Sequence, residues 1–336
     1  MEYRTLGKTG LKISRLGLGG IPVQRIDPAG TRVLLEKLVE EGVNYIDSAR
    51  GYTVSEAFLG EALEGIRDKF VLATKSMART RDEMAKDIDI SLQNFRTDHI
   101  ELYQLHNPNL AQLEQVMAPG GALEALNEAK AAGKIGHIGV TAHSVEVFAK
   151  AVELDWVETI MFPYNLVETQ GEELMKKAAE KGIGFIVMKP LAGGALEDAT
   201  LAMRFLVQSP YTDVIIPGMA FVEEAEQNIA AVSDTSPLTA EELAKIDTIR
   251  KELGTQFCRR CNYCAPCAVG ITIPSVFLFQ GYLNRYGLGE WAKGRYEAMS
   301  VPASACIECG VCETRCPYNL PIREMLKSAA AQFEGK

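Results

Sequence analysis

All eight cysteines of this 336-residue chain lie in its last quarter, in two closely spaced runs. Each run has three cysteines at every third position and a fourth after two or three further residues. The runs are Cys258, Cys261, Cys264 and Cys267, then Cys306, Cys309, Cys312 and Cys316. Thiolates at this spacing can bind several corners of one inorganic cube, as the ligands of [4Fe–4S] clusters do. We therefore predict two [4Fe–4S] clusters and a role in electron transfer.

Two other uses of cysteine fit the chain less well. Disulfides are typical of small secreted domains, whereas this chain opens without a charged and then apolar leader, so we expect a reducing, cytoplasmic location. Structural zinc usually takes two separated cysteine pairs, and the third cysteine of each triplet would then have no clear place. Zinc remains the alternative to iron.

The second cysteine run, with Pro317 after Cys316, is similar to the bacterial ferredoxin motif, in which the fourth cysteine binds the neighbouring cluster. That resemblance implies one cluster held by Cys258, Cys261, Cys264 and Cys316, and another held by Cys306, Cys309, Cys312 and Cys267. The first run departs from the motif, because only two residues precede its fourth cysteine and Ala268 replaces the usual proline. The helical pattern between the runs resembles an α-helical ferredoxin-like domain.

Charge is unevenly distributed along the chain. The net charge is −9, yet the part from Cys258 onward has nine Lys and Arg against six Asp and Glu, and the remainder has 26 against 38. Arg259, Arg260 and Arg315 stand beside predicted ligands, where they either offset the charge of an anionic cluster or are simply solvated. The acidic remainder gives no basis for nucleic-acid binding, and no apolar stretch is long enough for a bilayer, so we expect neither partner.

Residues 1–235 repeat one unit, a short apolar run followed by an amphipathic stretch. The apolar runs are 16–19, 44–47, 70–75, 100–106, 135–141, 159–163, 184–189 and 213–217. Helical patterns lie between them, for example at 32–41, 55–63, 81–94, 122–132, 172–181 and 222–231. This alternation predicts a parallel α/β fold, and the count of eight favours a closed (β/α)8 TIM barrel over an open sheet. No G-x-G-x-x-G motif follows the first run, which argues against a Rossmann domain.

The chain changes character after the eighth unit. A capping-box pattern from Thr239 to Glu242 predicts a helix to about Leu253, stopped by Gly254. We therefore predict a barrel over 1–235, a helical linker over 236–256 and a small iron–sulfur domain over 257–336. Within that domain, 274–286 and 322–332 have helical patterns.

Four polar residues follow the predicted barrel strands at their carboxyl ends, where the chemistry of such barrels occurs: Asp47, Tyr52, Lys75 and His106. An ammonium beside a phenol stabilises its phenolate and lowers its pKa, so a tyrosine next to Lys75 can exchange a proton near neutral pH. Asp47 would keep Lys75 charged and in place, and His106 would orient a carbonyl oxygen. Beside a hydride donor, this set can reduce an aldehyde or ketone to an alcohol.

These residues occur in stretches that resemble the aldo-keto reductase family. The stretches are YRTLGKTG at 3–10, NYIDSARGY at 44–52, ATK at 73–75 and LYQLH at 102–106. The cysteine-rich tail is similar to that of a subgroup with a C-terminal 4Fe–4S domain. The resemblance implies a (β/α)8 barrel, a small-molecule carbonyl or alcohol substrate, a nicotinamide cofactor and a catalytic tetrad formed by Asp47, Tyr52, Lys75 and His106.

The chain departs from the family at the positions that hold the nicotinamide amide. The family's Ser-Asn pair, Gln and stacking aromatic are matched by Thr141, Ala142, Met161 and Met188. Of these, only Thr141 can hydrogen-bond an amide through its side chain, and Met188 offers a soft apolar face. Tyr164 and Asn165 are nearby candidates that could compensate.

Other positions match the phosphate and adenosine parts of the cofactor. Lys189 and Gly193 suit the pyrophosphate, and Gly218 and Asn228 match the adenosine end. Residues 218–228 contain no Lys or Arg, and the acidic residues there would repel a 2′-phosphate: Glu223, Glu224 and Glu226. We therefore predict NAD(P)H binding without a preference for NADPH.

The two halves of the chain leave two functions open. The first is an aldo-keto reductase linked to two clusters, which would exchange electrons with ferredoxin or another carrier, feed a flavin, or serve only as structural staples. The second is an electron-relay or redox-sensing protein whose barrel no longer performs nicotinamide-dependent reduction. The intact tetrad favours the first function, and the altered amide-binding positions favour the second.

Overall fold

The computed structural model describes residues 1–253 and 257–335, and their packing divides the chain into two compact units. The first consists of Met1–Asn165, Thr169–Pro190 and Asp198–Pro237. The second consists of Leu238–Lys336 together with two short segments, Leu166–Glu168 and Leu191–Glu197. Within the described residues, no helix has both the length and the apolar character that crossing a bilayer requires.

The first unit is a barrel of eight parallel strands, preceded by an antiparallel hairpin of β1 (Tyr3–Thr5) and β2 (Lys12–Ser14). The barrel strands are β3 (Gly17–Gly19), β4 (Tyr45–Asp47), β5 (Val71–Ser76), β6 (Ile100–His106), β7 (Ile135–Thr141), β8 (Thr159–Pro163), β9 (Gly184–Met188) and β10 (Val214–Ile216). Each pairs with the next along the chain. Bridges from Leu16 to Ile215 and from Gly19 to Gly218 join the last strand to the first. The predicted (β/α)8 barrel is confirmed.

Nine α-helices accompany these strands. They are α1 (Pro28–Glu40), α2 (Ser55–Ala62), α3 (Arg81–Phe95), α4 (Leu110–Met117), α5 (Ala122–Ala131), α6 (Val145–Ala151), α7 (Glu172–Glu180), α8 (Ala199–Val207) and α9 (Val222–Ser233). The six helices named from the sequence are present. The other three are α4 and α6, which are too short for a clear period, and α8, whose buried residues occupy several sides rather than one stripe.

The strand period separates two cores and so determines which residues face the barrel interior. Successive side chains of a strand point to opposite faces. On β4, Tyr45 belongs to a small interior cluster with Ala73 and Leu102, whereas Ile46 belongs to the larger cluster that packs against the helices. Residues two positions after interior ones share their side of the sheet. Asp47 follows Tyr45 in this way, Lys75 follows Ala73, and Gln104 follows Leu102.

The second unit is helical. Its α-helices are α10 (Ala240–Leu253), α11 (Ile273–Arg285), α12 (Gly289–Glu297), α13 (Val311–Thr314) and α14 (Ile322–Glu334). The predicted capping box begins α10, since the Thr239 amide donates to Glu242 Oε2 (2.8 Å) and the Glu242 amide to Thr239 Oγ1 (3.2 Å). Gly254, the predicted stop, lies outside the described residues. The helices expected over 274–286 and 322–332 are confirmed as α11 and α14.

Candidate active site and metal centre

The barrel interior contains a buried ion pair. Asp47 and Lys75 lie on adjacent strands, and each is 2% exposed. Lys75 Nζ donates to Asp47 Oδ1 and to the Ser48 carbonyl oxygen (2.6 Å), while Gln104 Nε2 donates to Asp47 Oδ2 (3.0 Å). Burial raises the pKa of the Asp47 carboxyl and lowers that of the Lys75 ammonium, and their contact offsets both changes.

The other two predicted tetrad residues lie beside this pair. Lys75 Nζ is 4.8 Å from the centroid of the Tyr52 ring. The Tyr52 and His106 rings are edge to face, with centroids 6.0 Å apart and planes at 88°. Tyr52 and His106 are half-buried, whereas Asp47 and Lys75 are enclosed. The structure therefore brings all four residues together, with the phenol and imidazole as the more accessible groups.

The loop that carries Tyr52 is fixed at both ends. The Arg50 amide donates to the Lys75 carbonyl (3.0 Å), and the hydroxyls of Ser48 and Ser55 are 2.9 Å apart. Just beyond the loop, the buried Glu56 carboxylate accepts from four groups: Arg50 Nη1 (2.8 Å), Thr74 Oγ1 (2.7 Å), Ser91 Oγ (2.9 Å) and Asn94 Nδ2 (3.1 Å). This network ties the start of α2 to strand β5 and helix α3.

Sequence reasoning missed the supporting roles of Glu56, Gln104 and Arg79. Arg79 Nη2 donates to the His106 carbonyl (2.8 Å) and so fixes the end of β6. A signal existed for Gln104, because it precedes His106 by two residues and therefore shares its side of the sheet. A signal also existed for Glu56, which falls on the same helix face as Leu59 and Gly60, three and four residues on.

The positions predicted for the nicotinamide amide are only partly available. Thr141 ends β7 beside His106, and its Oγ1 accepts from the Asn107 amide (2.9 Å), which leaves the hydroxyl hydrogen for a ligand. Asn165 is buried, and its Nδ2 donates to the Lys189 carbonyl (2.9 Å). Met161 and Met188 belong to the interior apolar cluster.

Tyr164 lies in the core between the strands and the outer helices. Its hydroxyl donates to Glu172 Oε1 (3.3 Å) in α7, and its ring packs against Phe205 in α8 with centroids 5.8 Å apart. Both the ring and the hydroxyl of Tyr164 thus contact the helical layer.

Of the two positions matched to the adenosine end, one is closely packed and the other has an unsatisfied acceptor. A Cβ on Gly218 would lie 2.7 Å from Pro22 Cγ, so a side chain there would clash. Asn228 is buried, and its Nδ2 donates to the Glu224 carbonyl (2.7 Å), whereas its Oδ1 has no hydrogen-bond partner among the described residues. A buried, unsatisfied amide oxygen can accept a hydrogen bond from an amino group such as that of adenine.

A cation near these positions was not predicted from the sequence. Arg25 pairs with Glu224 (Nη1 to Oε1, 3.3 Å), and its guanidinium lies 4.9 Å from the Phe221 ring centroid. The residue is 196 positions or more from its partners in the sequence, so no local pattern reveals it. Arg25 offsets the charge of Glu224 that sequence reasoning counted as unopposed.

The remaining predicted phosphate contacts lie in different units. Lys189 belongs to the first unit and has a left-handed backbone conformation (φ 55°). Gly193 belongs to the second unit, where its carbonyl accepts from Arg285 Nε (2.7 Å) and its φ of 68° suits glycine.

Two hollows in the second unit are each lined by four cysteines. Cys258, Cys261, Cys264 and Cys316 line one, and Cys267, Cys306, Cys309 and Cys312 line the other. No three Cys, His, Asp or Glu side chains of the described residues surround a single ion position. The cysteines are thus divided between the hollows as the ferredoxin resemblance implies.

The first hollow is bordered by positive charge. Burial raises the pKa of the Cys264 thiol to about 12. Arg259 is buried, with its guanidinium 3.9 Å from the centroid of the Tyr318 ring. Arg260 Nη1 donates to the Cys258 carbonyl (3.2 Å), and its Nη2 pairs with Glu168 (3.4 Å).

Several residues that line the second hollow are exposed. Cys309, one of its four cysteines, is exposed, and the neighbouring lining residue Ile307 is 62% exposed. A group bound there would therefore be accessible to solvent or to a protein partner. The two hollows differ in surroundings although their cysteine sets are alike.

Two known family profiles match this chain. Residues 15–200, more than half of the chain, match the profile described as "Aldo/keto reductase family". The chain belongs to the aldo/keto reductase family. Residues 257–321 match the profile described as "4Fe-4S dicluster domain". The protein is thus an aldo/keto reductase-type oxidoreductase that carries a C-terminal 4Fe–4S dicluster domain.

Relatives of this aldo/keto reductase include enzymes from plants and bacteria. It is 24% identical to L-galactose dehydrogenase of Arabidopsis thaliana over 304 residues, covering 74% of this chain and 94% of that protein. It is 31% identical to the aldo-keto reductase YhdN of Bacillus subtilis over 217 residues, covering 58% and 64%. A solved aldo-keto reductase from Bacillus halodurans, in its holo form, superposes with a TM-score of 0.65 at 25% identity, covering 74% and 96%.

Breaking the buried ion pair should destabilise the protein. Lys75→Met leaves the Asp47 carboxylate buried without its counter-charge, so we expect the free energy of unfolding to fall by about 3–5 kcal/mol. The double variant Asp47→Asn/Lys75→Met should regain most of that loss. Urea unfolding followed by circular dichroism under anaerobic conditions measures both.

The matched control is Lys69→Met, because Lys69 forms an exposed pair with Asp68 (2.8 Å). Exposed pairs contribute about 0–1 kcal/mol. Equal stability of Lys75→Met and Lys69→Met would show that the interior pair is not ionised in the folded protein.

Proposed function

We propose that this aldo/keto reductase interconverts a small carbonyl compound and its alcohol with NAD(P)H, and that Tyr52 is the proton donor. The arrangement of three groups supports the proposal. The Lys75 ammonium, held by Asp47, lies 4.8 Å from the Tyr52 ring, and the His106 ring lies beside it at 6.0 Å. Asp47 and Lys75 are enclosed, and the phenol and imidazole are accessible, as a general acid and an orienting group must be.

A bound nicotinamide would supply a hydride, which carries both electrons needed to reduce a carbonyl. The chain supplies the proton: the Tyr52 O–H bond breaks as the carbonyl oxygen gains negative charge, and the resulting phenolate is stabilised by Lys75. Asp47 keeps the ammonium in place through the reaction. An N–H of His106 donates a hydrogen bond that orients the carbonyl oxygen, and Tyr52 regains its proton from solvent.

We propose that Thr141 and Asn165 contact the nicotinamide side of the cofactor. Lys189 would contact the pyrophosphate, and Gly218 and Asn228 the adenosine end. Thr141 offers its hydroxyl hydrogen, and Asn228 its unsatisfied Oδ1. Glu224 already holds Arg25, so a 2′-phosphate would have to replace that carboxylate. NADH should therefore serve at least as well as NADPH.

Replacing Glu224 should change the preference between NADH and NADPH. Glu224→Gln releases the Arg25 guanidinium, which can then bind a 2′-phosphate, so we expect the KM for NADPH to fall about tenfold while that for NADH changes little. Glu223→Gln is the control, since Glu223 is exposed and Arg25 pairs with Glu224. Identical cofactor ratios in the two variants would show that Arg25 does not face the nucleotide.

Removing the phenol hydroxyl tests the catalytic role. Tyr52→Phe should lower kcat for carbonyl reduction by about 10²–10⁴, the usual range for losing a general acid, with little change in cofactor affinity. Cofactor binding is measured separately by quenching of protein fluorescence. Full activity in Tyr52→Phe would contradict Tyr52 as the proton donor.

We further propose that each cysteine-lined hollow binds one [4Fe–4S] cluster. Such clusters transfer single electrons, whereas the hydride step uses a pair, so they take no part in that step. The exposure of Cys309 and Ile307 supports electron exchange between the second hollow and ferredoxin or a similar carrier. A flavin would be needed to connect single electrons with the nicotinamide.

Pairs of cysteine variants test the assignment of ligands. In the proposed division, Cys261 and Cys316 hold the same cluster, so Cys261→Ser/Cys316→Ser should retain about four of about eight iron atoms and acid-labile sulfides per chain. If each sequence run held its own cluster, this variant would lose nearly all iron. Cys261→Ser/Cys264→Ser is the control, with about four iron atoms under either assignment. Zinc in the wild-type protein would contradict the clusters altogether.

An electron-relay or redox-sensing protein is the second candidate. The apolar Met161 and Met188 at amide-binding positions and the exposed Cys309 favour it. A comparison of Tyr52→Phe with the wild-type protein distinguishes the two candidates. A relay should keep its full function in Tyr52→Phe and show no carbonyl reduction in the wild type.

A further inference from the structure

Gln104 is a buried polar residue in the middle of β6, two residues before His106. It is 0% exposed and pairs in register with Lys75 on β5 and Gly139 on β7. Its Nε2 donates to Asp47 Oδ2 (3.0 Å), while Lys75 donates to the other carboxylate oxygen. The carboxylate is therefore held from two neighbouring strands, by a cation and by a neutral donor.

The other end of the Gln104 amide is unsatisfied. Within the described residues, Oε1 has no hydrogen-bond partner. An ionised carboxylate only accepts hydrogen bonds, so the amide must point Nε2 toward Asp47 and leave Oε1 in the barrel interior. A buried acceptor without a partner destabilises the fold, and methionine would fill the same space without that cost. The contact with Asp47 is what a glutamine adds at this position.

We infer that Gln104 is a positioning residue that keeps Asp47 ionised and aimed at Lys75, and thereby sets the pH range over which Tyr52 exchanges its proton. The inference rests on the proposed function for its catalytic consequence, but its statement about Asp47 does not need a reaction.

Several other groups face this pair. Asp47 interacts with Tyr45 on its own strand and with Lys75 on β5, while Lys75 in turn interacts with Glu56 on α2 and lies over the Tyr52 ring. Tyr52 is next to His106. Within this set, Gln104 contributes the neutral hydrogen bond that favours the charged carboxylate. Without it, Asp47 would more readily take the proton of the Lys75 ammonium, both groups would lose their charge, and a Tyr52 phenolate would be less stable.

The test replaces Gln104 by methionine, which has a similar length and no amide. A less stabilised phenolate raises the pKa of the tyrosine, so the alkaline limb of the pH–rate profile should move to higher pH by about one unit or more. Carbonyl reduction at neutral pH should fall ten- to hundredfold in kcat, with the KM of the cofactor unchanged. The control is Thr159→Val, which removes another buried, unsatisfied group of β8, Thr159 Oγ1. It should leave the pH profile in place.

Infrared spectroscopy gives a readout that does not depend on activity. At neutral pH, Gln104→Met should show a carbonyl band of a buried protonated carboxylic acid that wild type and Thr159→Val lack. The band should disappear in Asp47→Asn/Gln104→Met. Gln104→Asn, whose shorter amide does not reach Asp47, serves the same purpose if the methionine variant fails to fold.

The outcomes separate this inference from the proposed function. A pH profile and infrared spectrum like those of Thr159→Val would overturn the role of Gln104. Full activity in Tyr52→Phe would overturn the proposed function instead, and the infrared result would still decide the protonation of Asp47.

Discussion

The arrangement of the barrel depends on one interaction, the ion pair between Asp47 and Lys75 in an interior that is otherwise mostly apolar. Two charges in such surroundings are costly unless their contact and further hydrogen bonds offset the loss of water. The chain provides these through the Ser48 carbonyl and the Gln104 amide. The loop bearing Tyr52 is also attached to Lys75, because the Arg50 amide donates a hydrogen bond to the Lys75 carbonyl oxygen. Stability and chemistry thus depend on one set of contacts.

The second unit is subject to a different constraint. Its core is small, and four of the residues around each hollow are cysteines whose thiols would otherwise contribute little beyond apolar packing. Residues with left-handed backbone turn the chain within the runs, as at Arg260 (φ 58°) and Glu308 (φ 55°). The first hollow lies beside buried Arg259, and the second has an exposed cysteine. Groups of one kind would therefore experience unlike surroundings, and charge and exposure are among the properties that set cluster potential.

The sequence was sufficient for features that recur locally. Eight apolar runs predicted eight strands within about a residue at each end, because a buried parallel strand is continuous in hydrophobicity. The capping box before α10 was likewise readable from spacing, whereas the division of the cysteines came from the resemblance to the ferredoxin motif. Helices α4, α6 and α8 were not predicted, because helices that are short or apolar on several sides lack a clear hydrophobic period.

Features that depend on register or on distant partners were not predictable. Strand alternation puts Gln104 on the same side of the sheet as His106, but its contact with Asp47 depends on the register of β6 against β5. Arg25 meets Glu224, which is nearly 200 residues away. Tyr164 directly follows β8 in the sequence, which made it a candidate cofactor contact, but its ring packs toward the helices. Side-chain direction at a strand end depends on the turn that follows, which residue types alone do not specify.

The central claim is that the barrel transfers hydride while the clusters do not supply the electrons of carbonyl reduction. The most direct test uses NADH deuterated at the nicotinamide C4 position, with a panel of small aldehydes and ketones under anaerobic conditions, and analysis of the alcohol by mass spectrometry. Our account predicts one deuterium on the carbinol carbon of the product. Alcohol without deuterium, formed with hydrogen from solvent, would contradict it and place the iron–sulfur clusters in the reductive step.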